Sequence, residues 1–199
     1  MKSFLIKAVG IGLAAMGPII FAGAMLPAAA QAAPAPGWAV NMAASRLTFQ
    51  SSMGGEAFTG QFQRWRADIR FDPQNLPASS VLVKVDMTSA RTGSSERDEA
   101  LPGDDWFAAG KFGVATFAAK TFKDLGGGRY QAIGTLTMRG VTRPLALAFM
   151  LKIQGDQARM EGNTMIDRHV FGVGQGQFAG ADSIPFAVNL RVSLAAKRM

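Results

Sequence analysis

Four stretches of this chain alternate apolar and polar side chains with a period of two, and that alternation limits the fold more than any other feature of the sequence. Val81, Val83, Val85 and Met87 alternate with Leu82, Lys84 and Asp86. Trp65, Ala67, Ile69 and Phe71 share one face, opposite Arg64, Arg66, Asp68 and Arg70. Leu145, Leu147, Phe149, Leu151 and Ile153 make a third apolar face, and Phe186, Val188, Leu190 and Val192 a fourth. Successive side chains of a strand point to opposite sides, so each stretch predicts a strand with one packed face. Turn-forming clusters separate them: "DPQNLPAS" (Asp72 to Ser79), "DLGGG" (Asp124 to Gly128), "RGVTRP" (Arg139 to Pro144) and "QGD" (Gln154 to Asp156). From Val114 onward these mark off four strands of about ten residues with short antiparallel connections.

The chain reads as about eight main strands without an internal repeat, an all-β pattern that favours a closed antiparallel barrel or a sandwich. An eight-stranded barrel encloses just enough space for side chains or one slim ligand. At about 3.3 Å per residue, a ten-residue strand is ~33 Å long before tilt. The interior of such a barrel is narrow, long and apolar.

Residues 1–32 read as an export signal. Lys2 and Lys7 give a positive start, Ala8 to Leu26 is uncharged and apolar, and Ala30-Gln31-Ala32 has the small-x-small form of a cleavage site. The apolar stretch is nearly long enough to span a bilayer, so an uncleaved anchor is the alternative. Cleavage after Ala32 leaves 167 residues, a Pro/Ala linker at 33–37 and one domain at 38–199. The expected location is the periplasm. The chain has no cysteine, which excludes disulfides, thiol nucleophiles, Cys-based metal sites and a lipid-modified amino terminus. The domain therefore stands on its core alone. Without Lys2 and Lys7 it carries 19 basic and 14 acidic residues, an excess of +5 that never forms a run. Nucleic-acid binding by a basic patch needs clustering and is not expected. Weak attraction to an anionic membrane surface stays open.

The segment "TGSSERDEALPGDDWF" (Thr92 to Phe107) interrupts the alternation with five carboxylates. Ser95-Glu96-Arg97-Asp98 fits the [ST]-x-x-[DE] start of a helix, with acids in the first turn where the helix dipole favours them. Pro102 ends that turn. Asp104 or Asp105 is then placed to cap a second short helix through Trp106 to Ala109, closed by Gly110. Capping thus accounts for most of the carboxylates, and the segment is expected to be a short helical lid. An acid–base pair requires two contrasting environments, which the segment does not supply. A calcium loop requires a spacing of oxygen ligands that is absent.

The same segment, as "TGSSERDEALPGDDWFAAGKF", resembles the T-G-x-x-x-R-D-x-x-L-x-x-x-x-W-F pattern of the YceI-like family. "GTLTMRGVTRPLAL" (Gly134 to Leu147), "DRHVFGVG" (Asp167 to Gly174) and "FTGQFQRWRADIRFDP" (Phe58 to Pro73) resemble three further family segments, in the family's order. Phe112-Gly113 stands where the family usually has a proline after the aromatic residue, and "ASRLTFQSSMGG" replaces its early histidine region. The "SRLTF" form looks like a branch associated with quinone-reducing cytochromes. The resemblance implies an exported, eight-stranded lipocalin-like barrel that carries an isoprenoid lipid, an isoprenoid quinone or another long-chain amphiphile. An inner-membrane quinone-linked cytochrome is the implied membrane partner, and a homodimer stays open. Each buried methylene contributes about 0.8 kcal/mol, so ten approach ~8 kcal/mol before ordering costs, without any catalytic group.

The residues expected at the barrel wall and mouth are Phe49, Phe62, Phe71, Met87, Trp106, Phe107, Phe117, Met138, Phe149 and Phe171, with Met160 also at the wall. Ordinary core packing is the competing role for each aromatic, and in a narrow barrel the two roles merge. His169, the only histidine, reads as a loop residue, because a catalytic or zinc site needs partners. "GVGQGQ" (Gly172 to Gln177) lacks the context of a phosphate loop and reads as a turn before the last strand. Arg97 is expected in a structural role, paired near Asp98 or with a strand-end carbonyl, over a ligand contact, and Arg168, beside Phe171, likewise, because an Arg fork satisfies loop carbonyls as readily as anions. No catalytic residue, metal or cofactor is expected beyond the bound lipid. The rival functions are a lipid-modifying enzyme working through Asp98 or His169, and a cell-envelope module with a filled barrel and an active Arg64/Arg66/Arg70 face.

Overall fold

The computed structural model describes residues 34–199, so the expected export signal at 1–32 lies outside the described residues. Eleven strand segments pair in one antiparallel sheet. They are β1 (Gly37–Val40), β2 (Arg46–Met53), β3 (Glu56–Phe62), β4 (Trp65–Arg70), β5 (Ser80–Asp86), β6 (Ala90–Arg91), β7 (Val114–Gly126), β8 (Arg129–Met138), β9 (Val141–Gln154), β10 (Gln157–Asp167) and β11 (Ala187–Arg198). One short helix, α1 (Ser95–Ala100), lies between β6 and β7. β1 and β2 follow one another along the same edge of β11, with Trp38 opposite Arg198 and Leu47 opposite Val192. Beyond them, β1 pairs with β4 and β2 with β3, while β4 pairs with β5 and β3 with β6. The three broken pairs therefore act as three strands, and with β7 to β11 they form a closed barrel of eight.

Buried serines carry the hydrogen bonding across the breaks. Ser89, fully buried in the turn between β5 and β6, accepts from Arg64 N at 3.0 Å and donates to Asp86 O at 2.6 Å. Ser45, between β1 and β2, donates to Asn41 O at 2.7 Å and accepts from Ala195 N of β11 at 3.1 Å. A backbone group buried without a partner costs about as much as a lost hydrogen bond, and a short hydroxyl supplies the partner the ladder has lost. Asp86 holds the same turn from outside by accepting from the Thr88 backbone and hydroxyl and from Arg64 Nε at 2.9 Å. The Thr88 hydrogen bond, partly opposed by burial, keeps its pKa below the usual carboxylate value. Arg64 is thus occupied structurally, while Arg66, opposite Lys84, is exposed on the outer surface.

Four local readings are corrected. The turn in "RGVTRP" is only Arg139-Gly140, and β9 begins at Val141 and runs through Pro144. Both turn residues have positive φ, 49° and 73°, as a two-residue hairpin of right-handed twist requires. The cap of α1 is Ser94, whose side chain accepts from Arg97 N, one residue earlier than the motif suggested. Asp98 instead accepts from Thr92 N at 2.6 Å and Thr92 Oγ1 at 2.8 Å, and so closes the loop that enters the helix. No helix forms at Trp106 to Ala109, because Ala108 adopts a left-handed φ of 46° and the segment is a run of turns. Phe186 precedes β11, where its ring lies 4.8 Å from that of His169 and 5.3 Å from the Arg168 guanidinium carbon.

Arg168 organises the long connection from β10 to β11. It is 2% exposed and donates to the carbonyls of Pro185, Val173, Gly174, Gly180 and Ile184 at 2.8–3.5 Å. Desolvation lowers the pKa of this guanidinium, and Asp167 opposes the shift. A planar fork of five N–H groups suits such a set of carbonyls, whereas an ammonium has three donors at one point.

Two outcomes are expected. Ser89→Ala lowers the urea midpoint, with unchanged m, by an amount equivalent to about 1–3 kcal/mol, because it orphans the Arg64 amide in the interior. Arg168→Lys fails to restore the connection: hydrogen exchange at 172–184 accelerates by at least about tenfold while the β8–β9 ladder keeps its protection.

Candidate functional site

The inward faces of the strands enclose two neighbouring spaces. The cavity at the end that carries α1 measures about 220 Å³, and the one deeper in the barrel about 100 Å³. Phe49, Phe62, Met87, Trp106, Phe107 and Met138 line the first. Phe71, Phe117, Phe149 and Met160 line the second. Phe171, also expected at the wall or mouth, lines neither; it is 3% exposed and fills the buried cluster beneath the connection after β10. The alternation explains the placement: Leu47, Phe49, Ser51 and Met53 of β2 point inward, while Thr48, Gln50 and Ser52 lie between them.

The two ends of the interior differ in chemistry. Every residue lining the deep cavity is apolar. Its floor is an aromatic cluster in which Phe71 lies with ring centroids 5.3 Å from Phe122, 5.3 Å from Tyr130 and 5.9 Å from Phe149. Trp38 is fixed above Phe71 by donating Nε1 to the Phe71 carbonyl at 3.0 Å. Tyr130 is held in this apolar floor, and burial raises its pKa, with Asp124 adding to the effect. The first cavity is apolar for most of its wall but is bordered by Ser51, Thr92, Glu96, Arg97 and Arg168. The barrel interior is therefore amphipathic from end to end.

The polar border is built by the lid. Arg97 forms no ion pair among the described residues, which corrects the sequence expectation. Its Nε donates to Thr92 Oγ1 at 3.2 Å, and its guanidinium carbon lies 4.7 Å from the Phe58 ring centroid. Asp98 is occupied by Thr92, as above, and orients the hydroxyl that receives Arg97. Ser51 Oγ, opposite Phe58 in the β2–β3 ladder, is buried in the cavity wall without a hydrogen-bond partner. An aromatic row continues from Phe58 through Phe49 and Phe62 to Phe107, with neighbouring centroids at 6.5, 5.2 and 6.1 Å. Phe49 lies flat on Gly60: a Cβ there would stand 2.2 Å from its ring.

The lid has a second half that the alternation did not reveal. The Asp105 carbonyl accepts from Gly174 N and Gln175 N at 2.8 Å each, and Trp106 meets Phe178 at a centroid distance of 5.0 Å. Arg139, from the β8–β9 turn, donates to the carbonyls of Asp104 and Trp106. Val173, Phe178 and Ile184 of the connection 168–186 also line the first cavity. Its length was the available signal, since long connections in compact domains are commonly lids or binding loops. His169 is exposed in this connection and does not line either cavity.

Unfilled apolar space is costly. Side chains that border unfilled space forgo the dispersion contacts of a close-packed interior. An apolar guest that restores these contacts recovers much of that free energy.

Residues 38–196, from β1 to near the end of β11, match the model of the YceI-like domain. Among curated relatives, a UPF0312 protein of Vibrio vulnificus is 37% identical over 49% of this chain and 52% of its own length. A UPF0312 protein of Vibrio cholerae is 32% identical over 66% of this chain and 71% of its own. The chain thus spans about half the length of the Vibrio vulnificus relatives it matches. Among solved structures, Burkholderia cenocepacia BcnA superposes with a TM-score of 0.76 at 25% identity, over 79% of this chain and 99% of BcnA. The Campylobacter jejuni YCEI protein gives 0.62 at 26% identity, over 70% and 84% of the two chains. A polyisoprenoid binding domain from Saccharophagus degradans shares the fold, with a TM-score of 0.65 at 18% identity over 82% and 99%. A match that enters at the first barrel strand and leaves at the last places this chain in the YceI-like domain family.

Proposed function

We propose that the barrel binds and carries one long-chain amphiphile, tail inward and head at the lid, in the manner of a binding protein rather than an enzyme. The observation that carries this reading is the polarity of the interior: apolar throughout the deep cavity, with Ser51, Thr92, Glu96, Arg97 and Arg168 all on the border of the first. The Saccharophagus degradans domain of the same fold is a polyisoprenoid binding domain, which supports an isoprenoid tail. An oxygen-bearing head, as in an isoprenoid quinone, suits the unpartnered Ser51 hydroxyl and the Arg97 guanidinium, which border the first cavity beside Glu96. The reading extends to a periplasmic site of action, with an inner-membrane quinone-linked cytochrome as source or recipient of the cargo. Asp98 serves the lid rather than a reaction, since both of its hydrogen bonds go to Thr92.

The direct test is gentle purification followed by native and denaturing mass spectrometry. A stoichiometric isoprenoid or quinone is expected, and the native mass counts the chains in the particle and so tests the homodimer. A protein that co-purifies with no lipid and takes up no long-chain quinone overturns the reading. Gly60→Ala drives the Phe49 ring into the first cavity and is expected to lower lipid occupancy by at least about tenfold with little loss of fold. Arg97→Met is expected to weaken a long-chain quinone by about tenfold or more, from the loss of charged hydrogen bonding, while squalene, which has no head, binds unchanged.

A further inference from the structure

The two cavities are neighbouring spaces in one barrel, and one residue is common to both walls. Leu47, pointing inward from β2, belongs to the wall of both cavities. Phe117 comes from β7, three strands further round the ring. It lines the deep cavity and packs against the buried clusters at both ends of the barrel. Their ladder partners, Val192 for Leu47 and Val83 and Leu136 for Phe117, are all apolar, so no hydrogen bond ties the waist in place. Leu47 has open space on both sides, and a leucine changes rotamer within a small set of staggered wells. The floor of the barrel is built differently, with Phe71 held by three rings and an indole anchored to the backbone.

We propose that Leu47 and Phe117 form a chain-length gate inside the barrel, an inference that rests on the reading of the barrel as an amphiphile carrier. A short tail occupies the first cavity and leaves the gate closed. A longer tail reaches the deep cavity only by turning Leu47 aside, and it gains the apolar contacts of that cavity when it does. Phe117, in the deep cavity wall and packed against both buried clusters, is a surface against which the tail then lies. The gate makes affinity and uptake rate depend on tail length, independently of the head.

The test compares geraniol with geranylgeraniol, which share a primary alcohol head and differ in prenyl length, by calorimetry and stopped-flow uptake on the purified protein. Leu47→Trp fills the waist. Because Leu47 also borders the first cavity, the readout is the ratio of the two dissociation constants within one variant: geranylgeraniol is expected to weaken at least about tenfold more than geraniol. Leu47→Ala and Phe117→Leu, which open the walls near the junction of the cavities, are expected to speed geranylgeraniol association several-fold more than that of geraniol. An unchanged circular-dichroism spectrum and cooperative thermal unfolding are the control that each variant folds. Leu47→Trp weakening both alcohols alike, or neither, overturns the gate while leaving the carrier reading in place. Failure of the wild-type protein to bind either alcohol overturns the carrier reading itself.

Discussion

The pairing of β11 with both β1 and β2 is the constraint on which the rest of the structure depends. It joins the last strand to the first and leaves the ring of eight without an open edge. Once the sheet is closed, the inward side chains of every strand face one shared space, and alternation along each strand becomes the composition of a cavity wall. Closure also demands curvature, and the chain supplies it by breaking three strands. The cost of each break is reduced by local hydrogen bonding, most clearly at Ser45 and Ser89, which bridge backbone groups on both sides of a break.

The two ends of the barrel divide the labour. One end is shut by Trp38, Phe71, Phe122 and Tyr130, packed edge to face and anchored by an indole hydrogen bond. The other is covered by two connections joined by backbone hydrogen bonds from 174–175 to Asp105, with Arg139 tying the first to the β8–β9 turn and Arg168 holding the second together from within. These arginines bind carbonyl oxygens rather than carboxylates, so the lid is held by directional donors without a buried acid to balance them. The result is a site with an apolar base and a polar rim.

The strand pattern was legible because its signal is local. Trp65, Ala67, Ile69 and Phe71 announce an inward face by spacing alone, and nine of the ten wall and mouth positions expected from sequence do line a cavity. The exception, Phe171, sits in a turn, where no period constrains direction. The lid was legible in outline, as a short capped helix, but not in its partners. Arg97 meets Thr92 and Phe58 rather than a carboxylate, and Arg168 meets carbonyls spread from Val173 to Pro185. Ser51 looks like any polar strand residue until its neighbours show that its hydroxyl is enclosed.

The sequence by itself therefore determined the strands, their inward faces and the apolar character of whatever they enclose, because side-chain direction in a strand follows from the backbone pleat of a few consecutive residues. Only the tertiary structure decided how the interior is divided, where its polar rim lies and which loops cover it. Those features depend on residues far apart in the chain, such as Trp38 and Phe71 or Asp105 and Gly174, whose meeting is set by tertiary structure and has no local signature.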